Sequence, residues 1–428
     1  MNRTDIYAFT SAACNYLPKA ELLRQSLGRH HPEIRLVLAL PDHVPEGVDL
    51  SEQGWDETLT VEDLGIPRWR AWAFTHSLVE LATAIKPFVL ASLLERPECR
   101  AVLYFDPDMV IFSRLDDLVD QLEQADILLT PHQTSPEQGL EEVMDNEICS
   151  LKHGVYNLGF IGVRPTVSGR GFAQWWSERL YYFCQDDIPN GLFTDQRWID
   201  LAPALFSGVE ISRNPRFNVA PWNLTTRRLA VGAAHEYTVN DRPLGFYHFT
   251  GFDSGAHRIM AEKYGRNNPA LLDLQNWYHS HTSGVSQSPL TQIPWAFGRY
   301  EDGRPILDAH RKIYRARPDL QRRYPEPFQG RAGGKDSFAE WCETVGKKEY
   351  RHLLAATTSD GDFRRPAGTL SPSIAPPPGA MPSLAARLAR AIASPREAAL
   401  LTHQTIGVAR REGLRGLVAR LHRLTRKS

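Results

Sequence analysis

The sequence predicts an α/β fold in which a mostly parallel sheet is covered by helices on both faces. Over the first 130 residues, short apolar runs alternate with amphipathic segments, as expected for repeated strand and helix units. Polar residues follow two of the apolar runs, at Thr10 and Asp106. Ligands of such sheets bind beyond the carboxyl ends of the strands, so we expect a functional site there.

Each element is predicted from the period of its apolar residues and from the residues that interrupt it. Predicted strands are short runs rich in aliphatic and aromatic residues, and predicted helices carry apolar residues three or four positions apart. In chain order the predicted elements are strand Ile6–Phe9, helix Pro18–Leu27, strand Arg35–Leu40, helix Ala73–Leu94, strands Ala101–Phe105, Ala125–Thr130 and Val155–Val163, a helix through Trp175, Trp176 and Leu180, and strand Leu244–Phe249.

The charge pattern argues against nucleic acid as a partner, because the 428-residue chain has a formal net charge of −1. Residues 384–428 differ from the rest: nine Arg and one Lys against two Glu give this segment a formal charge of +8. Leu and Arg recur in it at helical spacing, which predicts a basic amphipathic tail that binds an anionic membrane surface. A solvated basic end is the alternative.

The cysteines and the amino terminus indicate a cytoplasmic protein. Five cysteines are scattered without Cys-x-x-Cys spacing, as expected for reduced thiols rather than for disulfides or a zinc site. The first residues run into a strand without the apolar region of a signal peptide. We therefore expect a cytoplasmic location, with peripheral attachment to the inner face of the membrane through residues 384–428.

Two carboxylates follow the apolar strand predicted at 101–105. Because side chains of an extended segment alternate, Asp106 and Asp108 point the same way. Together they offer oxygen ligands to a divalent cation and leave positions for diphosphate oxygens. His248 is a further candidate ligand, and its imidazole favours Mn²⁺ over Mg²⁺. A second Asp-x-Asp, which begins at Asp360, lies in a Gly/Pro/Ser-rich stretch and is predicted to be a solvated loop.

Several short motifs occur in a fixed order between residues 5 and 255. They are Asn15-Tyr16, Ser26, Lys86, Tyr-Phe-Asp106-Pro-Asp108, Asn157-Leu-Gly159-Phe, Thr194-Asp195-Gln196 and His248-x-x-Gly251. In this order they resemble nucleotide-sugar-dependent glycosyltransferases of the GT-A fold. The resemblance is strongest to the retaining family 8 type, which includes bacterial lipopolysaccharide glycosyltransferases and glycogenin.

The resemblance implies a role for each motif. The residues implied to hold Mn²⁺ or Mg²⁺ against the donor's diphosphate are Asp106, Asp108 and His248. Those implied to bind the nucleotide of the donor are Thr10, Asn15, Tyr16, Lys86 and Gly251, with Tyr16 stacking on the base and Lys86 facing a phosphate. Those implied at the donor sugar and the reacting carbon are Asn157, Asp195 and Gln196.

The resemblance also implies the activity, and the composition of the later part of the chain predicts the domain organisation there. A sugar would pass from a nucleotide sugar, in particular a UDP-sugar, to a glycan, lipid-linked or protein acceptor in bacterial surface polysaccharide synthesis, with retention of configuration. The GT-A catalytic domain is expected at 1–280 and a partly helical extension at 281–356. A Pro/Gly/Ser-rich linker at 357–383 and the basic tail at 384–428 follow.

The sequence departs from the family's pattern at two positions, and two other functions are alternatives. Ala13 stands where the family has an acidic residue, and the family's lysine after the His-x-x-Gly motif is missing, with Arg258 and Lys263 as candidate replacements. An apolar strand ending in Asp-x-Asp is also how haloacid-dehalogenase-like phosphohydrolases begin, with Asp106 as nucleophile. A nucleotide-sugar-binding protein without catalysis is the other alternative.

Overall fold

The computed structural model describes residues 5–233, 236–284, 288–330, 336–354 and 372–375. The predicted linker lies outside these residues except at 372–375, and the predicted tail lies wholly outside them. By its contacts the chain divides into two units, Met1–Ile374 and Ala375–Ser428, and the fold and site lie in the first. Within the described ranges, no helix is both long enough and apolar enough to cross a bilayer.

The strands are short and most are buried, and they are numbered here in chain order. They are β1 Ile6–Ser11, β2 Arg35–Leu40, β3 Glu57–Thr60, β4 Ala101–Phe105, β5 Met109–Ile111, β6 Ile127–Pro131, β7 Tyr156–Val163, β8 Gln185–Asp187, β9 Leu192–Thr194, β10 Val209–Ile211, β11 Leu229–Val231, β12 Tyr237–Val239, β13 Arg242–Pro243 and β14 Phe246–His248.

Among the described residues, seven of these strands form the central sheet in the order β10-β6-β7-β4-β1-β2-β3. The pairs within it are parallel except that β7 runs antiparallel to both β4 and β6. The predicted α/β fold with a mostly parallel sheet is therefore confirmed. Phe9 of β1 pairs with Tyr104 of β4, so the residues that follow these two strands meet at one edge of the sheet.

The helices are likewise numbered in chain order. They are α1 Leu17–His30, α2 Trp69–Phe74, α3 Leu78–Ala84, α4 Lys86–Leu94, α5 Asp116–Glu123, α6 Leu140–Glu142, α7 Ile148–His153, α8 Val167–Phe183, α9 Gln196–Ile199, α10 Ala202–Leu205, α11 Ala256–Gly265, α12 Pro269–Thr282, α13 Asp308–Ala316, α14 Pro318–Arg323, α15 Phe338–Trp341, α16 Lys347–Glu349 and α17 Arg351–Leu354. A π-helical turn, Val143–Glu147, joins α6 to α7.

The helix predicted from Ala73 to Leu94 is divided into α2, α3 and α4, and local chemistry explains both breaks. At the first, the Ser77 side chain accepts a hydrogen bond from the Glu80 N–H while the Glu80 carboxylate accepts one from the Ser77 N–H, a capping box that starts a new helix. At the second, Pro87 occupies the first turn of α4, where its missing N–H costs nothing. The second break places Lys86 at the start of a helix.

The core lies on both faces of the sheet. In β1, Tyr7 and Phe9 belong to the core on one face, and Ile6 and Ala8 belong to the core on the other. Burial on both faces explains why these strands are apolar throughout instead of alternating with polar residues.

The extension after residue 281 packs against the same core. The ring of Phe74 in α2 lies 5.2 Å from that of Tyr314 in α13 and 5.5 Å from that of Phe338 in α15, measured between centroids. A guanidinium nitrogen of Arg315 lies 2.8 Å from a Glu80 carboxylate oxygen. Helix α13 is therefore fixed to α3, and both helices reach the cavity described below.

Candidate active site

Three candidate metal ligands converge at the carboxyl edge of the sheet. Asp106 and Asp108 lie in the turn between β4 and β5, and β14 pairs with β5 so that His248 stands opposite Met109. His248 Nε2 lies 3.1 Å from Asp108 Oδ1 and 3.6 Å from Asp106 Oδ2. One ligand atom from each of the three side chains falls within 4.8 Å of the others. The fold thus brings together residues that are separated by 140 positions in sequence.

The donor set fits a divalent cation. Two carboxylates and one imidazole suit Mn²⁺ and also accommodate Mg²⁺. Burial opposes the charge on His248, but Asp108 and Asp106 outweigh it and raise the pKa of the imidazole. A cation held here would take the place of the His248 proton, because a ligating imidazole must be neutral. His248 Nδ1 is buried and has no hydrogen-bond partner among the described residues, whereas a ligating His usually donates this N–H.

Gly159 is required by the packing of the site. A Cβ at this position would lie 2.7 Å from His248 Cε1, 2.7 Å from Asn157 Oδ1 and 2.4 Å from the terminal carbon of Met109. These distances are shorter than carbon and oxygen atoms tolerate, so a larger residue would displace Asn157 or His248. The glycine in the Asn-Leu-Gly motif therefore allows β7 to approach β14 closely.

Lys86 links the candidate metal-ligand cluster, which consists of Asp106, Asp108 and His248, to Asp195. Its ammonium lies 3.3 Å from Asp106 Oδ1, 3.2 Å from Asp195 Oδ2 and 4.3 Å from the centroid of the Tyr104 ring. Burial disfavours the charge, but Asp106 and Asp195 more than compensate, so the pKa of Lys86 is raised. Burial also raises the pKa of Asp195, with Lys86 opposing it. The Tyr104 hydroxyl donates to Asp106 at 2.5 Å. These contacts with Lys86 and Tyr104 fix the position of Asp106.

A hydrogen-bond network fixes the amide of Asn157. Its Nδ2 donates to His132 Nε2 at 3.1 Å, and its Oδ1 accepts from Asn218 Nδ2 at 3.0 Å and from the Gly159 N–H at 2.9 Å. Burial lowers the pKa of His132 to about 4, so the ring is neutral and accepts at Nε2 while its Nδ1–H donates to Val155. The orientation of Asn157 is thereby set by its partners.

Asp195 and Gln196 lie in different surroundings although they are adjacent in sequence. Thr194, which precedes Asp195, has φ +45°, a left-handed conformation that a β-branched residue rarely adopts. Gln196 Oε1 accepts from the Leu158 N–H at 3.1 Å, and its Nε2 donates to the His153 carbonyl at 3.0 Å. Asp195 therefore faces Lys86, whereas the Gln196 amide ties β7 to α7. The left-handed backbone at Thr194 is strained, and strain of this kind is concentrated at functional sites.

Only some of the predicted nucleotide-binding residues line the cavity. Asn15 and Tyr16 lie on a 3₁₀ turn after β1 and line the same cavity as Lys86. Burial raises the pKa of the Tyr16 phenol, and Asp108 adds to the effect. Thr10 is fully buried within β1 and is not among the cavity-lining residues. Gly251, with φ +67°, is also absent from the lining, although Thr250 beside it is present.

The candidate replacements for the family's missing lysine lie away from the cavity. Lys263 is ion-paired with Glu141 at 2.7 Å and with Asp145. Arg258 is 78% exposed, and its guanidinium lies 3.9 Å from Glu262. Neither side chain is among the cavity-lining residues of the described chain.

One cavity of about 1180 Å³ contains this site. It is lined by the metal-ligand cluster, Lys86, Asn157, Asp195 and the Asn15-Tyr16 turn, and by parts of α3, α7 and α13. Its size and its convergent polar groups are those of a substrate site.

Sequence reasoning missed three residues of this site, His132, Asn218 and Trp222. His132 follows β6 directly, so the rule that sites form at strand ends identifies it in principle. Asn218 has φ +54°, a conformation that Asn tolerates better than most residues. Trp222 packs edge-on against His248, with ring centroids 5.5 Å apart. No local pattern marks the last two residues.

Comparison with known proteins gives distant similarities. No protein-family model matches the chain. Two uncharacterized proteins of Bacillus subtilis (strain 168) are similar to it: YfnF at 27% identity over 179 residues and YfnD at 26% over 176 residues. These alignments cover 42% and 40% of this chain and 58% and 54% of the relatives. The chain thus spans little more than half the length of the curated relatives it matches.

Among solved structures, the galactosyltransferase LgtC in complex with donor and acceptor sugar analogues is similar at 18% identity and a TM-score of 0.39, covering 68% of this chain and 97% of LgtC. The glycosyltransferase GlyE of Streptococcus pneumoniae TIGR4 is similar at 13% identity and a TM-score of 0.37, covering 69% of this chain and 66% of GlyE. At these values the similarities transfer neither a residue role nor an activity to this chain.

Proposed function

We propose that the protein is a metal-dependent glycosyltransferase of the GT-A type. It would move a sugar from a nucleotide sugar, in particular a UDP-sugar, to a glycan, lipid-linked or protein acceptor in surface polysaccharide synthesis. One observation carries the proposal: Asp106, Asp108 and His248 converge beside the Lys86–Asp195 ion pair in a single large cavity. The order of the sequence motifs supports it.

The three converging side chains would hold Mn²⁺ or Mg²⁺. Such a cation would supply charge neutralisation of the donor's diphosphate and Lewis-acid assistance to the leaving group. Tyr104 and Lys86 keep Asp106 ionised and in place, because one donates a hydrogen bond to it and the other contributes a positive charge. Burial works against this ionisation, but Lys86 and His248 outweigh it and lower the pKa of Asp106.

Lys86 supplies a fixed positive charge next to the carboxylates. As the bond from sugar to phosphate breaks, negative charge grows on the phosphate oxygens. A preorganised cation therefore stabilises the transition state more than the ground state. The Asn157 amide, held by His132 and Asn218, would hydrogen-bond donor sugar hydroxyls. If the leaving phosphate takes the acceptor's proton, a retaining reaction needs no strong protein base, and the residues need only orient the two substrates.

The test is a panel of UDP-, GDP- and dTDP-sugars, assayed for hydrolysis with and without Mn²⁺. We expect turnover of a UDP-sugar that requires the metal and no turnover of phosphate monoesters such as p-nitrophenyl phosphate. Hydrolysis of the monoester by wild type, but not by Asp106→Asn, would instead establish the phosphohydrolase. Metal-dependent binding of UDP without turnover of any member would favour a binding protein.

A further inference from the structure

The connection between α2 and α3 forms part of the cavity wall. We call residues 74–80, from the last residue of α2 to the first turn of α3, the α2–α3 corner. The cavity-lining residues of this corner and of the rest of α3 are Ser77, Leu78, Val79, Glu80, Ala82 and Thr83. Lys86 follows α3 after a single residue, and Ser11 of β1 donates to the Ala82 carbonyl at 2.7 Å. A shift of the corner would therefore be transmitted to Lys86.

The carbonyl groups at the end of α2 take their hydrogen-bond donors from the extension. The last carbonyl groups of a helix have no N–H partner within that helix. Arg311 donates to the Phe74 carbonyl at 3.0 Å, and Arg315 donates to the Thr75 carbonyl. Both arginines lie on α13 and line the cavity, although they follow these carbonyls by 237 and 240 positions in sequence. A cation at this end of a helix also interacts favourably with the helix dipole.

Arg315 also binds the start of α3. Its guanidinium lies 2.8 Å from Glu80 Oε2, and the same carboxylate oxygen accepts from the Ser77 N–H at 2.9 Å. One guanidinium group thus contacts the end of α2 through Thr75 and the start of α3 through Glu80. Its planar arrangement of donors holds these acceptors in one fixed geometry. Arg315 therefore joins the two sides of the corner.

Arg311 is buried against carbonyl groups and pairs with no carboxylate of the described residues. It is 4% exposed, and its second hydrogen bond goes to the Phe297 carbonyl at 2.6 Å. Burial lowers the pKa of Arg311 to about 10, so the guanidinium is still charged at neutral pH. Burying a cation against carbonyl groups alone is costly. This cost favours a role in placing the corner over a role in stability alone.

We propose that Arg311 and Arg315 are positioning residues for the donor site. From α13 they hold the α2–α3 corner against the cavity, and the corner sets the position of Lys86, which faces Asp106 and Asp195. The extension is then part of the site, and nucleotide binding depends on it. That the nucleotide belongs to a sugar donor rests on the proposed function.

Two measurements on the full chain test this role. One is hydrogen exchange of the corner amides, followed by mass spectrometry, and the other is calorimetric titration of UDP with Mn²⁺. Arg315→Gln and Arg311→Met each remove a charged donor from a buried carbonyl, so exchange in residues 74–84 should become about tenfold faster or more. The acceleration should be smaller in β1 and β4. The dissociation constant for UDP should rise about fivefold, because Lys86 is no longer held in one position.

Arg311→Met is the more stringent variant, because Arg315→Gln also leaves the buried Glu80 carboxylate without its cation. Thermal melting of each variant reports any loss of overall stability. Arg317→Gln is the matched control: Arg317 directly follows α13, pairs with two surface carboxylates, and is not among the cavity-lining residues of the described chain. Its corner exchange and its UDP affinity should equal those of wild type.

The outcomes separate this proposal from the proposed function. Corner exchange as slow as in wild type in both variants would show that the two arginines do not hold the corner. Faster corner exchange with unchanged UDP affinity would overturn their role in nucleotide binding, as would an equal acceleration throughout the sheet, which marks a loss of global stability alone. Failure of wild type to bind UDP would overturn the proposed function and with it the donor role, whereas the exchange data would still show whether α13 holds the corner.

Discussion

The buried ion pair between Glu80 and Arg315 should make the stability of the protein depend on pH below about pH 5. The Glu80 side chain is 14% exposed, and its carboxylate lies 2.8 Å from an Arg315 nitrogen. Burial opposes ionisation, but Arg315 outweighs it and lowers the pKa of Glu80 to about 2. The ordinary value for Glu is about 4.3. A lowered folded-state pKa stabilises the fold above the ordinary pKa, and the contribution is lost as pH falls towards 2.

The magnitude follows from the pKa difference. A difference of somewhat more than 2 units corresponds to about 3 kcal/mol at pH 7, of which about 2 kcal/mol is lost by pH 3. Glu80→Gln should therefore lower the free energy of unfolding at pH 7 by about 3 kcal/mol, a large share of the 5–15 kcal/mol typical of a domain. The difference from wild type should shrink by about 2 kcal/mol at pH 3.

The assay is urea unfolding at several pH values between 7 and 3. Glu95→Gln is the matched control, because the Glu95 side chain is 70% exposed and pairs with Arg170 at the surface. Exposed pairs contribute about 1 kcal/mol or less, so this variant should track wild type at every pH. If Glu80→Gln also tracks wild type from pH 7 to pH 3, then α13 is not held to α3 by this ion pair.

Three further changes test the site and the tail. His248→Ala should reduce Mn²⁺-supported donor turnover about tenfold or more without loss of the fold, measured by kinetics and thermal melting; a lowered melting temperature with an unchanged metal requirement would identify a core residue instead. Asn218→Ala should raise KM for the donor several-fold, because the Asn157 amide loses the partner that orients it; an unchanged KM would remove this role. Deletion of 384–428 should preserve donor hydrolysis and abolish salt-sensitive co-sedimentation with anionic liposomes; sedimentation equal to that of the full chain would show that the tail does not bind the membrane.

Much of the sheet and part of the site are encoded in local sequence. The apolar runs at β1, β2 and β4 are buried on both faces, so composition alone identifies them. Asp106 and Asp108 are recognisable because their spacing and the strand before them lie within eight residues. The division of the helix predicted from Ala73 to Leu94 was also readable, since Ser77-x-x-Glu80 is a capping-box pattern.

The rest depends on contacts between distant parts of the chain. Asn157 is oriented by Asn218, 61 residues later, and Glu80 is paired with Arg315, 235 residues later. No periodicity or motif links such positions, because each contact exists only after the sheet has assembled. His248 combines a local and a long-range feature. Its motif is visible in the sequence, but its distance from Asp108 is set by the pairing of β14 with β5.

Calorimetric titration of UDP in the presence and absence of Mn²⁺ tests the central claim most directly, with wild type compared with Asp106→Asn and Asp108→Asn. Each substitution keeps the side-chain shape and removes a charged oxygen ligand, so we predict metal-dependent binding by wild type and a loss of at least about tenfold in both variants. Asp360→Asn, from the second Asp-x-Asp, should bind like wild type. Equal affinity in wild type and both site variants, or binding that is independent of Mn²⁺, would contradict a metal-dependent nucleotide-sugar site.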